Sequence, residues 1–151
     1  MKLSTKGEYA SRAMLELSLK HNQGAVSIHD IAQKMELPVK YLEQILLALK
    51  NTGFVHSKRG VAGGYYLAKP PDMITVAQVI RVMDGPLAPI SCVSQMAYEQ
   101  CKEEPSCGLR SLWLEVRNAI ADILDHTTFA DLCDRHLQLE KGNISKDMYH
   151  I

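Results

Sequence analysis

Between Phe54 and Leu67 two short stretches with strand character, Phe54-Val-His-Ser57 and Gly64-Tyr-Tyr-Leu67, flank the tract Lys58-Arg-Gly-Val-Ala-Gly63. A glycine-rich, basic loop of that length between two such stretches predicts a tight antiparallel hairpin. Two strands alone are barely stable in water. The hairpin therefore demands a core from elsewhere in the chain, and its own tip, nearly devoid of apolar surface, is free for another task.

The 53 residues before it supply that core as three helical periods. Tyr9, Ala10, Ala13, Met14, Leu17 and Leu19 recur at mostly three- and four-residue spacing, which predicts an amphipathic helix over Gly7 to Lys20, ended by His21-Asn-Gln-Gly24. Ser27 reads as an N-cap with Asp30 in the reaching-back position, opening a short second helix with the stripe Ile28, Ile31, Ala32 and Met35. Leu37-Pro38 breaks it. A third helix over Val39 to Asn51 buries Leu42, Ile45, Leu46 and Leu49 and leaves Lys40, Tyr41, Glu43 and Gln44 near its exposed first turn.

Beyond Pro70-Pro71 the spacing predicts a fourth helix over Ile74 to Met83, with Thr75 and Gln78 at capping-box distance and Asp84-Gly-Pro86 as its end. Leu87 to Ser106 lacks periodicity. A long helix carries Leu109, Leu112, Trp113, Val116, Ile120, Ile123 and Leu124, and a last short one begins near Thr128. The expected organisation is a winged helix-turn-helix over residues 1–70, a connecting helix and cysteine-bearing loop over 71–108, and a dimerisation helix with C-terminal segment over 109–151. The fold class is mostly α.

Composition, 46% hydrophobic and 23% charged, excludes disorder and collagen-like structure. No run approaches the roughly 18 apolar residues of a membrane span and no secretory leader is evident, so a cytoplasmic protein without membrane contact is expected. The formal net charge is zero, yet Met1 to Pro70 holds ten Lys and Arg against five Asp and Glu, and Pro71 to Ile151 holds seven against twelve. A basic first half suits phosphates. A third helix with a polar first turn can enter a major groove, and a hairpin tipped by Lys58 and Arg59 can reach backbone or minor groove, so double-stranded DNA is the expected partner. No nucleotide loop, zinc-protease helix or nucleophile elbow is present, and an enzyme is not expected.

Three segments, Met1-Lys-Leu-Ser-Thr-Lys-Gly7, Tyr41-Leu-Glu-Gln44 and Arg59-Gly-Val-Ala-Gly-Gly-Tyr65, resemble the iron–sulfur cluster regulator family, IscR and its relatives. The resemblance covers nearly the whole chain, including three cysteines ahead of the long helix. Relatives include nitric-oxide-sensing repressors (NsrR) and the cysteine-metabolism repressor CymR, which lacks those cysteines. It implies a transcription regulator of cluster biogenesis that is a homodimer on a pseudo-palindromic operator. The long helix then crosses its twin, in line with a stripe too large for one small domain to cover. Lys40, Tyr41, Glu43, Gln44, Lys58 and Arg59 are the expected DNA contacts, with Glu43 filtering operator classes by cluster state.

Cys92, Cys101 and Cys107 are separated by eight and five residues and lack the paired spacing of a zinc ribbon. Three thiols on one loop suit soft iron, and the resemblance implies an iron–sulfur cluster, 2Fe–2S in preference to 4Fe–4S. Two departures stand out. The family's first gap is commonly five residues, and the histidine it places three residues after the third cysteine is here Arg110, which cannot ligate iron. Glu8 is the expected fourth ligand, since nitric-oxide-sensing relatives use an acidic residue at the matching place on the first helix toward the partner's cluster; solvent, Glu43 or His126 are alternatives. A nitric-oxide-sensing repressor and, from another class, an electron-transfer or cluster-carrier protein remain as alternative functions. Cys133 is expected as a small buried apolar residue, and His29, His56, His126 and His136 have no metal-ligand spacing.

Overall fold

The computed structural model describes residues 2–142. Its first helix, α1, spans Thr5–Leu19 and starts where Ser4 Oγ accepts the Gly7 N–H at 2.9 Å. Ser27 caps α2, Ile28–Met35, by accepting the Asp30 N–H at 3.1 Å. Glu36, at φ 54°, ends α2 in the left-handed conformation, and Pro38 opens α3, Val39–Asn51. The turn between these two helices is thus set by positive-φ Glu36 and by Pro38, which favours extended backbone at the intervening Leu37.

The expected hairpin forms from β1, Val55–Lys58, and β2, Gly64–Leu67, with Val55 opposite Leu67 and Lys58 opposite Gly64. The first strand starts one residue later than the periodicity predicts, and the Phe54 N–H instead donates back to Leu49 O of α3 at 3.0 Å. The second strand also bridges Val26, whose N–H and C=O exchange 2.8 Å bonds with Tyr65. Gly64 permits that approach. It sits at φ +152°, and a Cβ there would lie 2.1 Å from the Val26 carbonyl oxygen.

After Pro70, a single 3₁₀ turn at Pro71–Met73 leads to α4, Val76–Asp84, then to the cysteine loop, α5, Gly108–Asp125, and α6, Phe129–Glu140. The predicted capping box of Thr75 and Gln78 is present, and Thr128 with Asp131 forms a second. The two caps lie side by side. Thr75 and Thr128 form an antiparallel bridge, with Val76 N–H donating to Thr127 O and Phe129 N–H to Ile74 O. α4 and α6 therefore start from one point. Phe129 is fully buried in the core shared by α1, α2, α3 and both strands.

That core, with Met14, Leu42, Leu46, Leu49 and Val55 at its centre, also takes in Ile74 and Val79 beyond the proline pair. A smaller cluster of Ala77, Ile80 and Leu87 touches α5 through Ile120 and Leu124. α5 has no buried residue at all. No helix among the described residues is long and apolar enough to cross a membrane.

Candidate nucleic-acid interface and cysteine loop

Burial of Leu42, Ile45, Leu46 and Leu49 fixes the rotation of α3, and Lys40, Glu43 and Gln44 consequently face outward, exposed. Tyr41 differs from them. It is half-buried and stands edge-on to Tyr9, ring centroids 5.9 Å apart, with the Arg12 guanidinium over the Tyr9 ring. Sequence periodicity placed Tyr41 among the exposed residues, and its packing on α1 was not visible there.

Lys58 closes β1 and Arg59 leads the turn, both exposed. Gly60, at φ +107°, accepts the Gly63 N–H at 3.0 Å, which bends the tip so that Arg59 and Val61 project. Between this tip and the start of α2 lies a groove lined by Ser27, His29, Lys58, Arg59 and Tyr65. Neither wing cation has a carboxylate within salt-bridge distance among the described residues, so both charges are available to phosphates. His56 packs against Tyr66 at an interplanar angle of 59° on the outer face of the hairpin.

The cysteine loop is fastened at both ends. Cys92 is buried in a single 3₁₀ turn, Ser91–Val93, which α5 holds by an Arg117 guanidinium bond of 2.9 Å to Val93 O. Cys107 is the N-cap of α5, its Sγ accepting the Arg110 N–H at 3.4 Å. Cys101, between them, is exposed. Arg110 does not point to a ligand role. Its Nε lies 3.0 Å from Glu104 Oε1 at an angle too poor for a hydrogen bond, so the contact is an ion pair. Glu104 also accepts the Tyr98 hydroxyl, and that bond is the main cause raising the Tyr98 pKa. Tyr98, Glu104 and Arg110 thus clasp the segment that carries Cys101, a network no spacing rule signalled.

Three thiols match an iron–sulfur cluster in kind. In arrangement, no three His, Cys, Asp or Glu side chains among the described residues gather as a metal site. Glu8 is exposed in the first turn of α1 and joins no such group among the described residues. Cys133 is only half-buried on α6, with desolvation raising its thiol pKa first and Asp134 second. His126 bonds the Asp122 carbonyl and His136 faces Glu140 at 3.2 Å.

A further link joins the start of α1 to the end of α4. Asp84, the last residue of α4, accepts the Ser4 N–H at 2.9 Å and the Ser4 hydroxyl. Gly7 makes room, since a Cβ there would lie 2.7 Å from the carboxylate. The carboxylate sits at the N-terminus of α1, where the helix dipole favours it, and ties the first helix to the start of the cysteine loop.

Comparison with known proteins agrees with this layout. Residues 3–135 match the family model Rrf2, described as an iron-dependent transcriptional regulator. The chain is 43% identical over 132 residues to the HTH-type transcriptional regulator CymR of Bacillus subtilis, covering 87% of this chain and 89% of that protein. The solved CymR structure superposes with a TM-score of 0.76, covering 89% of this chain and 98% of that one. The HTH-type transcriptional regulator IscR of Erwinia tasmaniensis is 36% identical over 132 residues, 87% of this chain and 78% of its own. The structure of T. potens IscR, 33% identical, gives a TM-score of 0.73 over 99% of this chain and 96% of that one. A mostly helical winged fold with one two-stranded wing, matched along nearly its whole length by these regulators, establishes that the chain belongs to the Rrf2 family of helix-turn-helix transcriptional regulators.

Proposed function

We propose that this protein is a cytoplasmic, homodimeric repressor or activator whose affinity for a pseudo-palindromic operator depends on an iron–sulfur cluster, 2Fe–2S in preference to 4Fe–4S. The observation that carries the reading is the cysteine loop: three thiols on one segment, fastened by Arg117 and by the Cys107 cap to a helix whose apolar face is uncovered. Cys92, Cys101 and Cys107 would hold the cluster, and Glu8 from the partner subunit's first helix would complete it. When bound, the group supplies a thiolate-held iron centre whose loss is the signal. The rest belongs to the protein. α5 packs against its twin and fixes the spacing of the two wings, α3 enters the major groove with Lys40, Glu43 and Gln44, and Arg59 approaches the minor groove. Asp84 carries a change in the loop to Ser4 and so to α1, on which α3 packs through Tyr9 and Tyr41.

Similarity to CymR, the global cysteine regulator of B. subtilis, favours a second reading in which the same winged dimer works without a cluster. Anaerobic reconstitution followed by operator binding separates them. The sensor reading expects a cluster absorbance that Cys92→Ala abolishes and Glu8→Ala makes labile, together with a change in operator affinity on cluster loss. A chain that takes up no cluster and binds its operator equally well before and after reconstitution is a cluster-free regulator.

A further inference from the structure

The outward face of α3 is polar except at one place. Lys40, Glu43, Gln44, Lys50 and Asn51 are all exposed there, and Leu47 stands among them at 53% exposure. At 3.6 residues per turn, Leu47 falls roughly 150° from the middle of the buried stripe of Leu42, Ile45, Leu46 and Leu49. That places it near the centre of the surface the helix offers, flanked by Lys40 and Gln44 one to two turns before it and by Lys50 and Asn51 one turn after. No neighbouring element among the described residues covers it.

We infer that Leu47 reads the C5-methyl group of a thymine in the operator. The step rests on the regulator reading above, in which this face enters the major groove. Among the base edges a major groove presents, donors and acceptors suit Lys40, Glu43 and Gln44, whereas the thymine methyl is the apolar element. A leucine at the centre of the face gains by burial only against such a group, and loses against the polar edge of a guanine or the amino group of a cytosine or adenine. Its contribution is discrimination at one base pair in each half-site, with the cationic contacts supplying most of the affinity.

Replacing thymine by uracil removes the methyl and leaves the pairing and the O4 acceptor unchanged, so the contact can be tested atom by atom. Duplexes enriched by the wild-type dimer from a random pool give the operator, and each thymine shared by its half-sites is changed to uracil in turn. For wild type, one such position is expected to cost roughly four-fold in affinity per half-site, about the value of one buried methylene. Leu47→Ala, at an exposed helix position where alanine is well tolerated, should bind the thymine duplex more weakly and respond less than about two-fold to the same swap. Circular dichroism and thermal unfolding check that the variant is folded. An enriched operator with no shared thymine, a wild type indifferent to every swap, or a Leu47→Ala protein as sensitive as wild type overturns the assignment. If the wild type enriches no duplex at all, the regulator reading falls with it, and that outcome is recognised because it precedes any comparison of variants.

Discussion

Helices α3 and α5 carry similar apolar stripes and end in opposite circumstances. α3 has 13 residues and buries four of them completely or nearly so, whereas α5 has 18 and buries none. Leu109 and Ile123 on α5 are each 64% exposed, and Leu112 is 47% exposed. The difference teaches that one chain completes its winged helix and leaves its long helix incomplete. The first core is closed even by a distant segment, since Phe129 of α6 is packed into it. α5, lying between the cysteine loop and α6, is fastened to α4 through Ile120, Leu124 and the neighbouring Asp125. An apolar face of that length is what a second copy would cover.

Substituting one leucine on each of the two helices is the strongest way to break this contrast. Leu46→Ala removes a fully buried side chain from α3 and should lower unfolding free energy by about 2–5 kcal/mol in urea denaturation. Leu112→Glu on α5 should leave helix content unchanged and shift the protein from dimer to monomer in sedimentation velocity. A Leu112→Glu protein that sediments as the wild type does would show that α5 is not the interface.

Next in size is Gly64→Ala. The added Cβ would meet the Val26 carbonyl at 2.1 Å in a backbone conformation alanine avoids. Relief requires the Val26–Tyr65 bridge to part, at a cost of about 3 kcal/mol, and detaches the wing from the start of α2. Lower stability together with lost operator affinity is the expected outcome. Gly24→Ala is the control, since at φ +91° it shares the backbone strain but has nothing within 4 Å, and its effect should be smaller and confined to stability.

Arg59→Ala tests the wing without disturbing the core. The side chain is exposed and unpaired among the described residues, so stability should hold within about 0.5 kcal/mol. Operator affinity should fall by about 1–3 kcal/mol in fluorescence anisotropy. Unchanged affinity would remove the wing tip from recognition and leave α3 as the reader.

Much of the closed half was legible in the sequence because its determinants are local. Ser27 before Ile28, Thr75 three residues before Gln78, and the glycines around Arg59 each act within one turn of chain, and periodicity names the buried stripes. What escaped depends on pairs far apart. Nothing near Val26 signals Tyr65, nothing near Phe129 signals Ile74, and Asp84 looked like the end of a helix until Ser4 and Gly7 came against it. Leu47 escaped for another reason. Attention to the buried stripe passes over an apolar residue on the opposite face, although a helical projection would have isolated it. In the cysteine loop the residue types were informative, yet the clasp of Tyr98, Glu104 and Arg110 depends on loop closure that spacing does not encode.

The smallest effect concerns the joint between the two regions. Arg81 of α4 meets Asp125 of α5 in a two-pronged contact of 2.5 and 3.0 Å. The hydrogen bonds from Arg81 are the main cause holding the Asp125 carboxyl below its ordinary range, against a smaller opposing effect of desolvation. A carboxylate whose folded pKa is depressed contributes stability that is fully present above its unfolded value, about 3.9, and is lost as pH falls through the folded one. Both side chains are partly exposed, 26% and 39%, so solvent screening keeps the contribution under about 1 kcal/mol. Asp125→Asn should therefore cost that much at pH 7, and the gap between variant and wild type should close as the pH is lowered below the ordinary aspartate range. Arg81, whose pKa the same contact raises, stays charged throughout and adds no slope. The absence of any gap at pH 7 would mean that α5 is held to α4 by the packing of Ile120 and Leu124 alone, and the unfinished helix would then rest on its neighbour without an ionic tie.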